Sequence, residues 1–373
     1  MIPLSLYIHF PWCARKCPYC DFNSHEAKGP VPEADYFAAL TRDLELAIPG
    51  AQRRPLASIF IGGGTPSLTA PATIAALIET VRSRLTCAED IEITLEANPG
   101  AIETGKFPAF RAAGINRLSL GIQSFDDAGL RAVGRIHDAA EARRAAGLAL
   151  EHFDQVNFDL MYALPQQTLA QARQDIETAI AFGPGHLSAY HLTVEPNTAF
   201  HRSPPALPDD DLAADMQDMV EEALAGAGYE HYETSAFARS GSRCRHNLNY
   251  WTFGDYLGIG AGAHAKVTLD KQVIREVRRR HPADYLRAAD FVQERHAVGP
   301  HGLPGEFMMN ALRLTAGFPA ELFERRTGLP LATIAAPLRQ AEADGLLVIA
   351  NDLIAPTPLG QRHLNALILR FIE

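Results

Sequence analysis

Six short runs along the first half of the chain are apolar or β-branched: 4–10, 58–61, 91–95, 117–121, 156–161 and 187–193. Each has the length and character of a strand buried in a parallel sheet. Between them, 36–47, 74–85 and 169–181 carry apolar residues near helical spacing. Alternating strand and helix predict a parallel sheet or barrel, and six such units predict a barrel that stays incomplete and open. The polar residues gather where these runs end. The first runs into a cysteine-rich loop, the second into Gly62-Gly63-Gly64-Thr65-Pro66, the third into Glu96-Ala97-Asn98-Pro99 and the fourth into Gln123-Ser124. The fifth carries Asp159 and leads to Leu164-Pro165. Chemistry in (β/α) barrels collects at the C-terminal ends of the strands, so this register marks one end of the sheet as the working end.

A Pro- and Asp-rich stretch, 203–211, bounds the barrel. Residues 212–300 read as a mixed extension. From about Gly302 the pattern changes to short helices, then two strand-like runs, 346–349 and 353–355, separated by Asn351-Asp352, then a last helix. The expected organisation is therefore a core barrel over 1–205, an extension over 206–300 and a winged-helix-like α+β module over 301–373. That module holds six basic and seven acidic residues. A nucleic-acid reader needs a cationic surface, so the module is read as a packing or partner unit. The chain shows no internal repeat and no low-complexity tract.

Composition narrows the class. Of 373 residues, 47% are apolar and 21% charged, with a net charge of −10, a balance that disfavours nucleic acid as a partner. No apolar run approaches the roughly 20 residues that span a bilayer. The opening residues lack the basic region and cleavage site of a signal peptide, which leads us to expect a cytoplasmic protein. Five cysteines are too few for a disulfide scaffold.

Three of those five fall in Cys13-Ala-Arg-Lys-Cys17-Pro-Tyr-Cys20. Thiolates are soft ligands that suit iron–sulfur clusters. Three cysteines on one short loop would leave one iron of a [4Fe–4S] cluster open to an external ligand. By spacing alone a zinc site is the alternative, with His9 or His25 as the fourth ligand.

C-x₃-C-x₂-C after a first strand, with Tyr19 before the third cysteine, resembles the radical SAM superfamily. That resemblance implies a [4Fe–4S] cluster on Cys13, Cys17 and Cys20, with S-adenosylmethionine (SAM) on the open iron. The segment Tyr7-Ile8-His9-Phe10-Pro11-Trp12-Cys13 is similar to the branch that holds oxygen-independent coproporphyrinogen III dehydrogenase and the HemW-type heme chaperones. The likeness assigns Gly63, Gly64 and Thr65 to the SAM methionine and Glu96 to its ribose. It places Gln123, Arg135 and Asp159 along the same site, and adds Tyr7 and Tyr19 to the cofactor contacts.

Two departures bear on the branch. The dehydrogenase has a further cysteine two positions after the third cluster cysteine, where this chain has Phe22. It also has a long segment before the cluster loop, where only twelve residues precede Cys13. His246-Asn247-Leu248-Asn249-Tyr250-Trp251 in turn resembles the H-N-x-x-Y-W motif of the heme chaperones. This implies heme as a ligand, with His246 as a candidate axial ligand and a heme-accepting protein, for example a membrane respiratory one, as the recipient. Cys87 is read as structural, and so is Cys244, with a second heme ligand as its minor alternative. Arg275, Arg278, Arg279 and Arg280 are read as a solvated face, with heme propionates as the minor alternative. The competing reading of the whole chain is an enzyme that decarboxylates coproporphyrinogen III through a 5′-deoxyadenosyl radical. A winged-helix regulator is the weakest reading, for want of basic charge in the last module.

Overall fold

A computed structural model describes residues 1–372. The six expected strands are all present, as β1 (Leu4–Phe10), β2 (Leu56–Gly63), β3 (Cys87–Ala97), β4 (Arg117–Gln123), β5 (Gln155–Tyr162) and β6 (His186–His191). They pair in parallel, each with the next in the chain. In β1 the side chains alternate. Leu4, Leu6, Ile8 and Phe10 are buried in the main apolar core, while Ser5, Tyr7 and His9 take the other face. The same alternation places Ser58 on β2, Thr94 on β3, Ser119 on β4 and Asn157 on β5 on that second face. These groups bond across the sheet, as in Ser5 Oγ to Ser58 Oγ at 2.8 Å and Asn157 Nδ2 to Ser119 Oγ at 2.9 Å. The outer face is therefore apolar and covered by helices, and the inner face is polar.

The covering helices are α1 (Glu33–Ala51), α2 (Pro71–Arg84), α3 (Ala139–His152) and α4 (Leu169–Phe182). Three of these match the helical spacing read from the sequence. The fourth, α3, buries only alanines, Ala142, Ala145, Ala146 and Ala149, so its apolar stripe is faint. Its start is marked by a capping box in which Asp138 accepts from Glu141 N and Glu141 accepts from Asp138 N.

Beyond β6 the chain does not leave the sheet. After α5 (Asp210–Gly226), β7 (Glu230–Glu233) and β8 (Ala236–Ala238) add an antiparallel hairpin to β6. After α6 (Arg245–Trp251), β9 (Asp255–Ile259) pairs in parallel with β1. The antiparallel strands β10 (His264–Leu269), β11 (Gln272–Arg278) and β12 (Val292–Ala297) follow it. The result is one twelve-stranded sheet in the order β12-β11-β10-β9-β1-β2-β3-β4-β5-β6-β8-β7. The open parallel barrel is as expected. Strands from 230–297 extend it on both sides, so neither β1 nor β6 is an edge.

Residues from Gly302 onward build a second core around Phe307, Phe318, Phe323, Leu338 and Ile354. Strands Leu347–Ala350 and Leu353–Pro356 pair antiparallel, joined by a two-residue turn. Asn351 and Asp352 take φ of 51° and 62° there, the left-handed pair that a type I′ hairpin requires. With Phe318–Pro319 they form a three-stranded sheet beside five short α-helices, the expected winged-helix-like arrangement. No helix among the described residues is long and apolar enough to cross a membrane.

Candidate cofactor site at the barrel mouth

The cluster loop is an excursion with its ends tied. Trp12–Cys13 pairs in parallel with His25–Glu26. His25 N donates to Pro11 O at 2.7 Å, and Ala27 N to Cys13 O at 2.9 Å. Inside the loop Lys16 Nζ donates to the carbonyls of Phe22 and Ser24, both at 3.0 Å. The three thiols are unpaired and line one cavity of about 330 Å³. Burial pushes the Cys13 and Cys20 thiols up, so binding iron here releases protons.

The glycine turn after β2 forms the next wall. Gly64 N donates to Phe10 O at 2.6 Å and Thr65 N to Trp12 O at 2.7 Å, which zips the turn to the first limb of the cluster loop. A Cβ on Gly64 would stand 2.4 Å from Trp12 O. Gly63, at φ +115°, would put one 2.4 Å from the His9 ring. Only glycine allows this approach.

Opposite lie two carboxylates. Glu96 accepts from Gly63 N at 2.9 Å. Asp159 accepts from Ser119 Oγ at 3.0 Å and Asn157 Nδ2 at 2.8 Å. Burial raises both, Glu96 to about 7, and the nearby Asp159 charge adds to the shift of Glu96. Arg135 spans the wall, donating to Asn98 Oδ1 at 2.5 Å and Gly121 O at 2.9 Å, with Nη1 3.6 Å from Cys17 Sγ. Its Nε is buried without a partner. Three thiols, a bare glycine backbone, an acceptor carboxylate and an orphaned guanidinium N–H form a donor set that fits a cluster with an amino-acid ligand. His9 is not free for zinc. Its Nδ1 takes the Tyr7 hydroxyl at 2.9 Å, and its Nε2 lies 2.9 Å from Asn23 O.

The raised Glu96 carboxyl gives a pH prediction for the metal-free chain. Between the ordinary value of 4.5 and about 7, the folded state keeps a proton that the unfolded state has lost. Stability therefore falls as pH rises through that window, by at most about 1.4 kcal/mol per unit. Urea unfolding across the window should show this slope in the wild type and lack it in Glu96→Gln. Parallel curves for the two would mean that Glu96 is ionised there.

Of the expected site residues, Cys13, Cys17, Cys20, Tyr19, Gly63, Gly64, Thr65, Glu96, Gln123, Arg135 and Asp159 all line this cavity. Tyr7 and His246 do not. His246 begins α6, under the starts of β2 and β3 and at the opposite end of the barrel. It is 4% exposed, with Nδ1 3.1 Å from Ser58 Oγ and its ring stacked on Phe60 at 4.9 Å. Burial pushes the imidazole down to about 3, so it is neutral. Tyr7 lies between, its ring 6.2 Å from Phe60 and 6.3 Å from His246. Tyr250 stacks on Tyr256, and Arg313 covers Trp251. The H-N-x-x-Y-W segment thus packs as the floor of the barrel and as its seam with the last module.

The arginine run is a solvated face only at its end, where Arg280 is exposed and Arg279 half-buried. Arg278 is 2% exposed and paired with Asp43 and Glu276, and Arg275 pairs with Glu306. Sequence reading missed Asn98, Ser119, Met161, Tyr190, Leu192 and Glu195, which also line the cavity. Ser119 lies on the inward register of β4, as Asp159 does on β5, and Asn98 lies two residues past Glu96. β6 carries no polar motif to announce Tyr190.

A cysteine loop after β1, a glycine turn after β2 and carboxylates on β3 and β5 of an open parallel barrel define a radical SAM protein, a class that carries a [4Fe–4S] cluster and SAM, and this mouth is the candidate site for them. The model of the radical SAM superfamily matches residues 7–179, and that of the HemN C-terminal domain matches 302–363. Heme chaperone HemW of Escherichia coli (strain K12) is 47% identical over 99% of this chain and 98% of its own length. Its counterpart in Haemophilus influenzae is 46% identical over the same shares. Among solved structures, coproporphyrinogen III oxidase (HemN) from Escherichia coli shares the fold, with a TM-score of 0.84, 23% identity and cover of 99% of this chain and 90% of that one. The chain belongs to the HemW family.

Proposed function

We propose that this protein is a heme chaperone: it binds heme and passes it to heme-accepting proteins, and its cluster and SAM stand at the barrel mouth. The observation that carries the reading is the site's rim. Phe22, 57% exposed, stands two residues after Cys20, where a coproporphyrinogen dehydrogenase would present another thiol. The full-length similarity to relatives named as heme chaperones supports it. The five unpaired cysteines suit a reducing compartment, and we place the protein in the cytoplasm. His246 is the axial ligand we assign. Phe60, Tyr250 and Tyr7 enclose its ring, so ligation requires α6 to swing away from the floor.

The test is an anaerobic hemin titration of cluster-reconstituted protein, followed by the Soret absorbance. Saturable one-to-one binding is expected, weakened roughly tenfold or more in His246→Ala, a loss of about 1.4 kcal/mol. Phe60→Leu, which loosens the same packing but keeps the imidazole, should bind at least as tightly as the wild type. Absence of saturable binding in every form would sink the chaperone reading and call for coproporphyrinogen turnover assays.

A further inference from the structure

One side chain of the cluster loop's far limb reaches two carbonyls of the extension and is not used by the cofactor contacts. Asn23 Nδ2 donates one hydrogen to Ala261 O and the other to Arg280 O, each at 2.9 Å. Its backbone carbonyl lies 2.9 Å from His9 Nε2. We propose that Asn23 is the positioning residue that sets Cys20, and with it the cluster, against the extension formed by β9–β12.

The surroundings are built for this side chain. Gly262, at φ +82°, would put a Cβ 2.2 Å from Asn23 Nδ2, so the notch exists only because that residue is glycine. Gly262 N donates to Arg279 O at 2.9 Å, which fixes the two acceptors relative to each other. Tyr36 Oη donates to His9 O at 2.7 Å and accepts from Ala261 N at 2.9 Å, so both sides of the Asn23 contact belong to one network. The direction of each bond is determined. Burial pushes His9 down to about 4, so its ring is neutral. Nδ1 accepts from the Tyr7 hydroxyl, which leaves Nε2–H to donate to Asn23 O.

On the loop side the displacement has a short path. Only Asp21 and Phe22 separate Asn23 from Cys20. Ser24 N closes onto Phe22 O at 2.6 Å, Lys16 Nζ bridges Phe22 O and Ser24 O, and Ser24 Oγ lies 3.7 Å from Cys20 Sγ. Residues 22–24 therefore move as a unit. If the Asn23 side chain lets go, residues 22–24 stay tied to the first limb through His9 and the His25–Glu26 pairing but lose this anchor on the extension, so Cys20 can shift relative to Cys13. Groups that orient metal ligands in this way typically change metal affinity by roughly 10–100-fold when removed. None of this depends on heme binding.

The experiment uses the full chain, reconstituted anaerobically, with Asn23→Ala. Three quantities are read: the rate at which a ferrous chelator strips the cluster, the electron paramagnetic resonance line shape of the reduced cluster before and after SAM, and the thermal unfolding of the metal-free chain. Stripping should be roughly tenfold faster and the SAM-induced change of line shape smaller, while the metal-free midpoint moves by no more than about 4 °C. Asn23→Asp keeps the shape but offers no donor to two carbonyls, and should act in the same direction and more strongly. Gly262→Ala, which displaces an intact Asn23 from the opposite side, should reproduce both spectroscopic and stripping effects. Wild-type stripping and line shape in Asn23→Ala would overturn the proposal. So would faster stripping with an unaltered line shape and a midpoint lowered well beyond that limit, which would make Asn23 an ordinary structural cross-link.

Discussion

Cys17→Ala should abolish the cluster while leaving the fold intact. Reconstituted iron is expected to fall from about four per chain to a small fraction, since a [4Fe–4S] cluster on three cysteines has no spare protein ligand. Metal-free stability should change by no more than about 0.5 kcal/mol. Cys17 is partly exposed, and its chain neighbours are held without it, by Lys16 on the Phe22 and Ser24 carbonyls and by the Trp12–Cys13 pairing. Arg135, which reaches Cys17 Sγ, keeps its bonds to Asn98 and Gly121. Cys244→Ala is the matched control. Burial, with the Glu92 charge beside it, pushes that thiol up to about 12, at the barrel floor and away from the loop. It should keep full iron. Iron and sulfide analysis with urea unfolding separates the cases, and full iron in Cys17→Ala would mean that the ligand set is wrong.

The site was legible because the inner face of this sheet is polar. In a strand such as β1, leucine and isoleucine alternate with Ser5, Tyr7 and His9, so a polar residue at a strand end is already on the register that faces the lumen. Glu96, Gln123 and Asp159 could be assigned to one site from order alone, without knowing the curvature that brings Cys13 and Tyr190 to the same cavity. The edges of the barrel could not be read that way. The pairing of β9 with β1 joins Asp255 to Leu4 and Tyr256 to Ser5, and nothing near either end of so long a connection announces its partner. The helix α3 was faint because alanine buries little area per residue.

His246 shows a different limit. A histidine followed by Tyr250 and Trp251 looks the same in sequence whether the aromatics cover a macrocycle or a neighbouring strand. Here the ring finds Ser58 and Phe60, and Arg245 N and His246 N at the start of α6 donate to Glu92 at 3.2 and 3.1 Å. The short helix is bound to the barrel by its first turn. Two arginines of the basic run were misread through a similar limit. Arg275 and Arg278 find acids on distant elements, Glu306 and Asp43, and a local charge count cannot see them.

Asp255→Ala should do what Cys17→Ala does not and strongly destabilise the fold. Asp255 is fully buried on β9, where it accepts from Arg54 Nη1 at 2.7 Å, Lys266 Nζ at 2.8 Å, and Thr268 N and Oγ1 at 2.9 Å each. Breaking a buried ion pair by removing one partner typically costs about 3–5 kcal/mol, because the remaining charge stays desolvated. Here two cations lose their anion. Each keeps only carbonyl acceptors, Ile2, Gly50 and Ala51 for Arg54 and Phe253 and Gly254 for Lys266. Burial already pushes Lys266 down to about 8, and the Asp255 charge is what opposes that push. Without it Lys266 falls further and is neutral when folded but charged when unfolded. The unfolded state then binds the extra proton, so the variant's stability should rise with pH from neutrality toward the ordinary lysine value. Replacing Lys266 with methionine in the same chain should recover part of the loss and remove that slope. Because β9 is the strand that joins the extension to β1 and leads into the turn that receives Asn23, the single variant should also hold its cluster less tightly, as a consequence of the loosened strand. Urea titrations at pH 7 and pH 9 test the account. A loss below about 1 kcal/mol with no pH dependence would mean that water reaches both cations once the carboxylate is gone.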